Sequence, residues 1–197
     1  MTPTGSVGSD ESLRLFLALR LPDSVLDVLC RWGDQQLGAG RRVPRESLHV
    51  TLAFLGARPA AELPAIVEAL RHAAAGTDPF PLAAIRYRET QSVGMVVLDD
   101  STGEATRLAE QLHDRLEALG VYRREARPWL PHVTVLRFRE RPGLRPPVPQ
   151  LGTFVPSDAA AYLSRLGRTG ARYEVLASVH LGESTPHDDD AARRMNG

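Results

Sequence analysis

The sequence predicts an α+β protein in which two mixed, mostly antiparallel sheets, flanked by helices, enclose a central cleft. Three observations support this fold class. Strand-like and helix-like hydrophobic patterns alternate along the 197 residues. The order strand, helix, strand occurs in both halves, which favours an internal duplication. Each half also carries the tripeptide His-Val-Thr in an apolar, strand-like stretch, beginning at His49 and at His132.

Local sequence signals justify the individual elements. Apolar and β-branched runs that stop at glycine or proline predict strands, and apolar residues at helical spacing after proline, aspartate or serine predict helices. The predicted elements are a strand over 13–21, a helix over 22–37, a strand over 47–56, a helix over 62–75, strands over 80–87 and 94–98, a helix over 102–119, a strand over 131–138, and a final hairpin of strands over 152–166 and 172–181 that turns at 167–170.

The two ends of the chain have a different composition from the rest. Residues 1–11 are rich in Gly, Ser, Thr and Pro, and residues 183–197 are polar with a run of three aspartates. Such segments cannot bury enough apolar surface to fold, so we predict a disordered leader and a disordered tail. The single folded domain is predicted over residues 12–182.

The overall composition excludes several classes of protein. It is 43% hydrophobic and 24% charged with a formal net charge of +0, so it gives no overall attraction to nucleic acid or membranes. No run approaches 18 apolar residues and the N-terminus lacks a signal-peptide pattern, so we expect a cytoplasmic protein that does not bind membranes. The one cysteine, Cys30, excludes a disulfide framework and a cysteine-rich zinc site.

The first His-Val-Thr stretch is predicted to present its polar residues together. In a strand, alternate side chains point to opposite faces, so His49 and Thr51 share one face. On the other face, Val50, Leu52 and Phe54 form an apolar row suited to a core. His132 and Thr134 share a face in the second stretch by the same rule.

Two such pairs suit acid–base chemistry at phosphorus. Histidine titrates near pH 6.5, so two rings can supply one proton acceptor and one proton donor. In-line displacement needs groups on opposite sides of the phosphorus, and threonine hydroxyls can donate to its non-bridging oxygens. Two histidines and two threonines are a poor zinc-ligand set, and we predict neither a metal nor a cofactor.

The residues around both tripeptides resemble a known family. Residues 43–56 and 127–137, together with 14–19, 162–166 and 172–176, are similar to the pattern of the two-histidine phosphoesterase superfamily. Within it, the chain resembles the bacterial and archaeal RNA 2′,3′-cyclic phosphodiesterases, once called 2′-5′ RNA ligases. One departure is Arg42, where the family often has tryptophan, and this difference bears on substrate preference.

The resemblance implies a single bilobal phosphoesterase domain over residues 12–182, with pseudo-two-fold symmetry. It implies hydrolysis of RNA 2′,3′-cyclic phosphate ends to 2′-phosphomonoesters, with His49 as proton donor and His132 as proton acceptor. The residues alone do not distinguish these two roles. By the same resemblance, Thr51, Thr134 and Arg137 bind the phosphate. Simple alternation places Arg137 on the face opposite His132, so a β-bulge or a strand end is needed to bring it round.

The predicted partners are RNA ends or cyclic nucleotides, bound by a monomer. Arginines cluster beside both tripeptides, seven of them over residues 123–145, with Arg41, Arg42 and Arg45 before the first, and they suggest an RNA-backbone track. Phe54, Trp129 and Phe138 are candidates to stack on a base, although strand aromatics usually lie in a core. Two alternatives remain: a phosphodiesterase acting on another small cyclic phosphate or a 2′-5′ linkage, and a non-catalytic protein that binds RNA ends.

Overall fold

The structure is a computed structural model that describes residues 11–167 and 170–182. The predicted leader, apart from Glu11, and the predicted tail lie outside the described residues. So do Arg168 and Thr169 of the predicted hairpin turn. Within the described residues, no helix combines the length and the apolar character needed to span a membrane.

Three α-helices and nine strands make up most of the described fold. The helices are α1 (Asp23–Gln36), α2 (Leu63–Ala75) and α3 (Glu104–Ala118). The strands are β1 (Ser12–Leu19), β2 (Arg41–Arg42), β3 (Val50–Pro59), β4 (Leu82–Glu89), β5 (Val93–Asp99), β6 (His132–Arg137), β7 (Thr153–Phe154), β8 (Ala159–Gly167) and β9 (Gly170–Val179). The predicted helices are confirmed to within two residues at each end, because their capping and apolar spacing are local signals.

The strand predicted over residues 47–56 is placed differently at both ends. A short 3₁₀ turn, Arg45–Ser47, precedes it, and pairing begins at Val50. The strand does not stop at Gly56 but continues to Pro59. Gly56 adopts a φ of 70° next to Leu55, which has no partner in β1, so the glycine belongs to a β-bulge within the strand.

The strands form one antiparallel sheet, so the prediction of two sheets is wrong. The order is β7-β4-β5-β6-β3-β1-β8-β9, with β2 also paired to β6. Between β3 and β6, the two central strands, the ladder holds a single residue pair, Val50 with Val133. Sequence patterns show which residues form strands but not which strands pair, so this junction was not predictable. The fold class, α+β with a large antiparallel sheet, is confirmed.

From Leu15 to Leu19, strand β1 is buried on both of its faces. Leu15, Leu17 and Leu19 belong to the large core on which the helices pack and are at most 2% exposed. The alternate residues Phe16 and Ala18 join Ala160 and Tyr162 of β8 in a small second cluster on the opposite face. Side-chain alternation along β1 therefore separates the main core from the small cluster, which contains two aromatic rings, on the other side of the sheet.

A second β-bulge in β3 reverses the alternation that the sequence predicts. Leu17 pairs with Ala53 and Ala18 pairs with Thr51, so Leu52 is an extra residue in β3. Val50 and Leu52 are buried as predicted, whereas Phe54 is 64% exposed. The prediction that Phe54 faces the core is wrong because the extra residue turns the following side chains to the opposite face.

Helix α3 supports this bulge through His113. The side chain is only 4% exposed, and its Nε2 lies 2.8 Å from the carbonyl oxygen of Leu52. His113 therefore faces the sheet and not solvent. The neighbouring carbonyl of Thr51 accepts a hydrogen bond of 3.0 Å from Nε1 of Trp129. These two side chains satisfy backbone groups that the irregular strand leaves free.

We expect His113→Leu to destabilise the fold by about 1–3 kcal/mol, because it leaves the buried carbonyl of Leu52 without a donor. The matched control is His72→Leu on the exposed surface of α2, with an expected change within about 0.5 kcal/mol. Urea unfolding of the three proteins measures the difference. Equal losses in the two variants would show that the contact with Leu52 contributes no stability.

Candidate active site

The antiparallel pairing of the two tripeptides creates the centre of the candidate site. Because Val50 pairs with Val133, His49 lies across from Thr134, and Thr51 lies across from His132. Both valines are fully buried, so the four polar side chains project to the opposite face. Directly paired residues have Cβ atoms about 5 Å apart, so the structure gathers all four predicted residues on one patch.

This patch opens into a cleft of about 850 Å³. His49, Thr51, Thr134 and Arg137 line the cleft. His132 is partly buried beside them. It is not among the described residues that line the cleft. Its charge nevertheless lowers the pKa of His49, so the two rings are close enough to interact.

Each histidine ring is oriented by a backbone contact two residues earlier in the chain. The Nδ1 of His132 lies 2.8 Å from the carbonyl oxygen of Leu130. His49 hydrogen-bonds the backbone of Ser47 in the corresponding place. A carbonyl only accepts, so Nδ1 of His132 carries the hydrogen and the neutral ring keeps Nε2 free as a base. The two rings are therefore held for proton transfer in a locally two-fold manner.

Three aromatic rings surround His49. Their centroids lie 4.9 Å (Phe16), 5.6 Å (Tyr173) and 6.0 Å (Tyr162) from the centroid of the imidazole. Burial among them lowers the pKa of His49 to about 4, with smaller contributions in the same direction from the charges of Arg137 and His132. The bond to Ser47 opposes the shift but does not cancel it.

The pKa of His132 is also lowered, again mainly by burial. The hydrogen bond to Leu130 opposes this shift, and the charge of Arg127 adds to it. Both rings of the free protein are therefore neutral at pH 7, because each pKa lies below the ordinary value of 6.5. An acid–base reaction here needs a proton that arrives with, or is stabilised by, the substrate.

A β-bulge in β6 brings Arg137 to the same side as Thr134. Gly94 pairs with Leu136 and Met95 pairs with Thr134, so Val135 is an extra residue. Val135 and Leu136 are consecutive and both buried, and Arg137 then turns outward into the cleft. The structure therefore supplies the bulge that the sequence required for this arginine.

The cleft is lined by positive charge. Its arginines are Arg14, Arg41, Arg42, Arg137 and Arg172, and Glu46 is its one carboxylate among the described residues. Arg42 pairs with Asp34 of α1. Within the described part of the chain, Arg14, Arg137 and Arg172 form no ion pair. Unneutralised guanidinium groups in a cleft favour a phosphorylated ligand.

The predicted arginine track is only partly in the cleft. Of the seven arginines over residues 123–145, only Arg137 lines it. Arg124, Arg127 and Arg141 are paired with carboxylates elsewhere, and Arg45 pairs with Asp23 and Asp27 of α1. Clustering along the sequence did not predict clustering in space, because alternate residues and turns send side chains in different directions.

Sequence reasoning missed Arg14 and the aromatic surroundings of His49. Arg14 was visible as a charge inside the otherwise apolar first strand, which is a signal that one position of that strand is not in the core. The aromatics Phe16, Tyr162 and Tyr173 come from three different strands, and no local pattern joins them. Of the three predicted stacking candidates, Phe54 lines the cleft, whereas Trp129 and Phe138 pack against the main core.

The described residues contain no cluster of three or more His, Cys, Asp or Glu side chains arranged to hold a metal ion. The polar groups of the patch are imidazole rings, hydroxyls and a guanidinium group. Their combined chemistry is proton transfer and binding of an anion.

The chain is similar to known proteins over most of its length. The chain is 33% identical over 183 residues to the RNA 2′,3′-cyclic phosphodiesterase of Thermus thermophilus, a match that covers 86% of this chain and 90% of that protein. It is 28% identical over 174 residues to the RNA 2′,3′-cyclic phosphodiesterase of Escherichia coli, covering 84% and 95%. The crystal structure of TT0787 from Thermus thermophilus superposes with a TM-score of 0.75 and 28% identity, covering 88% of this chain and all of that chain (100%).

The family profile extends across nearly the whole described fold. The profile of the 2′-5′ RNA ligase superfamily matches residues 21–180, which include both His-Val-Thr tripeptides. The resemblance predicted from the residues around those tripeptides is confirmed. Together with the shared fold, this match shows that the chain belongs to the 2′-5′ RNA ligase superfamily.

Proposed function

We propose that this protein hydrolyses the 2′,3′-cyclic phosphate at the end of an RNA to a 2′-phosphomonoester. The observation that carries the proposal is the Val50–Val133 pair, which gathers two histidines and two threonines on one patch beside a cationic cleft. The two curated relatives are named for the same reaction, hydrolysis of an RNA 2′,3′-cyclic phosphate.

In the proposed reaction the cyclic phosphate lies between the two tripeptides. The hydroxyls of Thr51 and Thr134 and the guanidinium of Arg137 donate hydrogen bonds to its non-bridging oxygens. His132 accepts a proton from the attacking water through Nε2, and a new bond forms between that oxygen and phosphorus. The bond from phosphorus to O3′ breaks in line, and protonated His49 gives its proton to O3′. The products are a 3′-hydroxyl and a 2′-phosphate.

The role of His49 as proton donor depends on the bound substrate. In the free protein the pKa of His49 is about 4, so the ring is neutral at pH 7 and becomes a donor only when the substrate raises that pKa. The bound phosphate is an anion, and an adjacent negative charge raises the pKa of an imidazole. Substrate binding therefore favours protonation of His49, which is neutral in the free protein. Each step uses only imidazole, hydroxyl and guanidinium groups, so we propose a reaction independent of metal ions.

His49→Ala and His132→Ala are each expected to lower turnover about 10²–10⁴-fold, because each removes one positioned proton transfer. The assay follows a short RNA that ends in a 2′,3′-cyclic phosphate, in the presence of EDTA, and identifies the product as 2′-phosphate or 3′-phosphate. His72→Ala, on the exposed surface of α2, is the control and should retain the wild-type rate.

Three outcomes of that assay would contradict the proposal. Tight binding without product would favour the non-catalytic RNA-end binding protein. Faster turnover of a 2′-5′ dinucleotide or another small cyclic phosphate would favour the second alternative. Inhibition by EDTA that added metal reverses would contradict metal independence.

The value of kcat/KM should be highest at acidic pH. The pKa of His49 is about 4 and that of His132 is below 6.5, so the free protein loses its last imidazolium as pH rises towards 6.5. The value of kcat/KM reports the free enzyme, and we expect it to fall about tenfold per pH unit above about pH 6.5. An NMR titration of the His49 ring protons measures the pKa of His49 directly, and we expect a midpoint of about 4. A midpoint near 6.5 would contradict the effect of the aromatic surroundings.

Arg137→Gln is expected to lower kcat/KM by about 10–100-fold, because it removes a charge-assisted hydrogen bond to the phosphate. It should also raise the pKa of His49, since the charge of Arg137 lowers it. Arg139→Gln is the matched control, because Arg139 is exposed two residues further on and does not line the cleft. Equal rates for the two variants would contradict the assignment of Arg137.

A further inference from the structure

The cleft continues well beyond the patch of histidines and threonines. Distances along the cleft can be counted along strand β1, because the extra residues of both bulges lie in β3 and β1 itself is regular. Ala18 pairs with Thr51, Phe16 pairs with Phe54, and Arg14 pairs with Ala57. Four residues separate Ala18 from Arg14, which is about 13 Å along an extended strand. The backbone of Arg14 therefore lies well beyond the patch to which the proposed function assigns the cyclic phosphate.

Arg14 lies on the cleft face of β1. Leu13, Leu15 and Leu17 belong to the main core, and Phe16 and Ala18 belong to the opposite cluster. By alternation, Arg14 shares the face of Phe16, and it lines the cleft. Within the described residues it has no ion-pair partner, so its charge is available to a ligand.

Two apolar side chains accompany Arg14 in this part of the cleft. Phe54 is 64% exposed and Leu166 is 73% exposed, and both line the cleft. Tyr162 pairs with Phe16, and Leu166 lies four residues further along β8 on the same face. Exposed apolar groups beside a bare cation are typical of surfaces that bind single-stranded RNA, where bases stack and phosphates are neutralised.

The order of these groups matches the order of groups in an RNA end. A cyclic phosphate occupies the 2′ and 3′ oxygens, so the chain can continue only through O5′ of the terminal nucleoside. Moving away from the phosphate, a ligand therefore presents a nucleoside, an internucleotide phosphate and a second nucleoside. Moving away from Thr51, the cleft presents Phe54, then Arg14 with Leu166.

We propose that Arg14 and Leu166 form a subsite for the nucleotide on the 5′ side of the cyclic end. Arg14 binds the internucleotide phosphate, Leu166 packs against the nucleoside beyond it, and Phe54 contacts the terminal nucleoside between the two phosphates. This inference rests on the proposed function and makes an RNA end a better substrate than a cyclic mononucleotide, which leaves Arg14 without a ligand.

Three substrates test the subsite in the intact protein. They are adenosine 2′,3′-cyclic phosphate, the same compound with a 5′-phosphate, and the dinucleotide ApA ending in a 2′,3′-cyclic phosphate. We expect the 5′-phosphate to raise kcat/KM by about tenfold or more, the usual effect of one charge-assisted hydrogen bond. The dinucleotide should be better again. The salt dependence of log kcat/KM should steepen by about 0.7 with the added phosphate.

Variants then assign the effect to residues. Arg14→Gln should bring the ratio of kcat/KM for the 5′-phosphorylated and plain substrates close to one. Leu166→Ser should reduce the further gain from the dinucleotide. The matched control is Arg31→Gln, an exposed arginine of α1 that does not line the cleft, and it should keep the wild-type ratios.

The outcomes separate this inference from the proposed function. If the wild-type protein hydrolyses all three substrates at equal kcat/KM, or if Arg14→Gln keeps the ratio, the subsite is wrong and the phosphodiesterase activity stands. If none of the three is hydrolysed at a rate that His49→Ala abolishes, the proposed function fails and the subsite fails with it.

Discussion

The site depends on one residue pair, Val50 with Val133, at the centre of the sheet. Both side chains are fully buried, and this burial fixes which way their neighbours point. A slip of one residue in either strand would bury histidine and threonine and expose valine, which is strongly unfavourable. Hydrophobic burial of two valines therefore holds four polar side chains in register across two halves of the chain. The same pair joins the two groups of strands into one sheet.

A locally symmetric pair of tripeptides lies in asymmetric surroundings. His49 is surrounded by aromatic rings from β1, β8 and β9, whereas the charge of Arg127 acts on His132. Identical tripeptides can therefore differ in acidity, because pKa depends on burial and neighbouring charge and not on sequence identity. This asymmetry gives a physical basis for two different roles, which the tripeptides alone do not provide.

Departures from strict alternation shape the cleft. The extra residues Leu52 and Val135 each reverse the direction of the side chains that follow, and they bring Phe54 and Arg137 to the cleft. Without a bulge, both residues would point towards the core, where a guanidinium would be costly. His113 and Trp129 satisfy the carbonyls that the bulged β3 leaves free. These two side chains do not line the cleft, but they maintain its shape.

By itself, the sequence determined the three helices, most of the strands, the four polar residues of the patch and the class of chemistry that they suit. These depend on local capping, hydrophobic period and side-chain type, which are readable along the chain. Only the tertiary structure decided that the strands form one sheet, that Phe54 and Arg137 face the cleft, and that Arg14 lies in it while Arg124 and Arg127 pair elsewhere. The reason is that strand pairing, bulges and ion pairs join residues distant in sequence, and their energies depend on packing that no local pattern records.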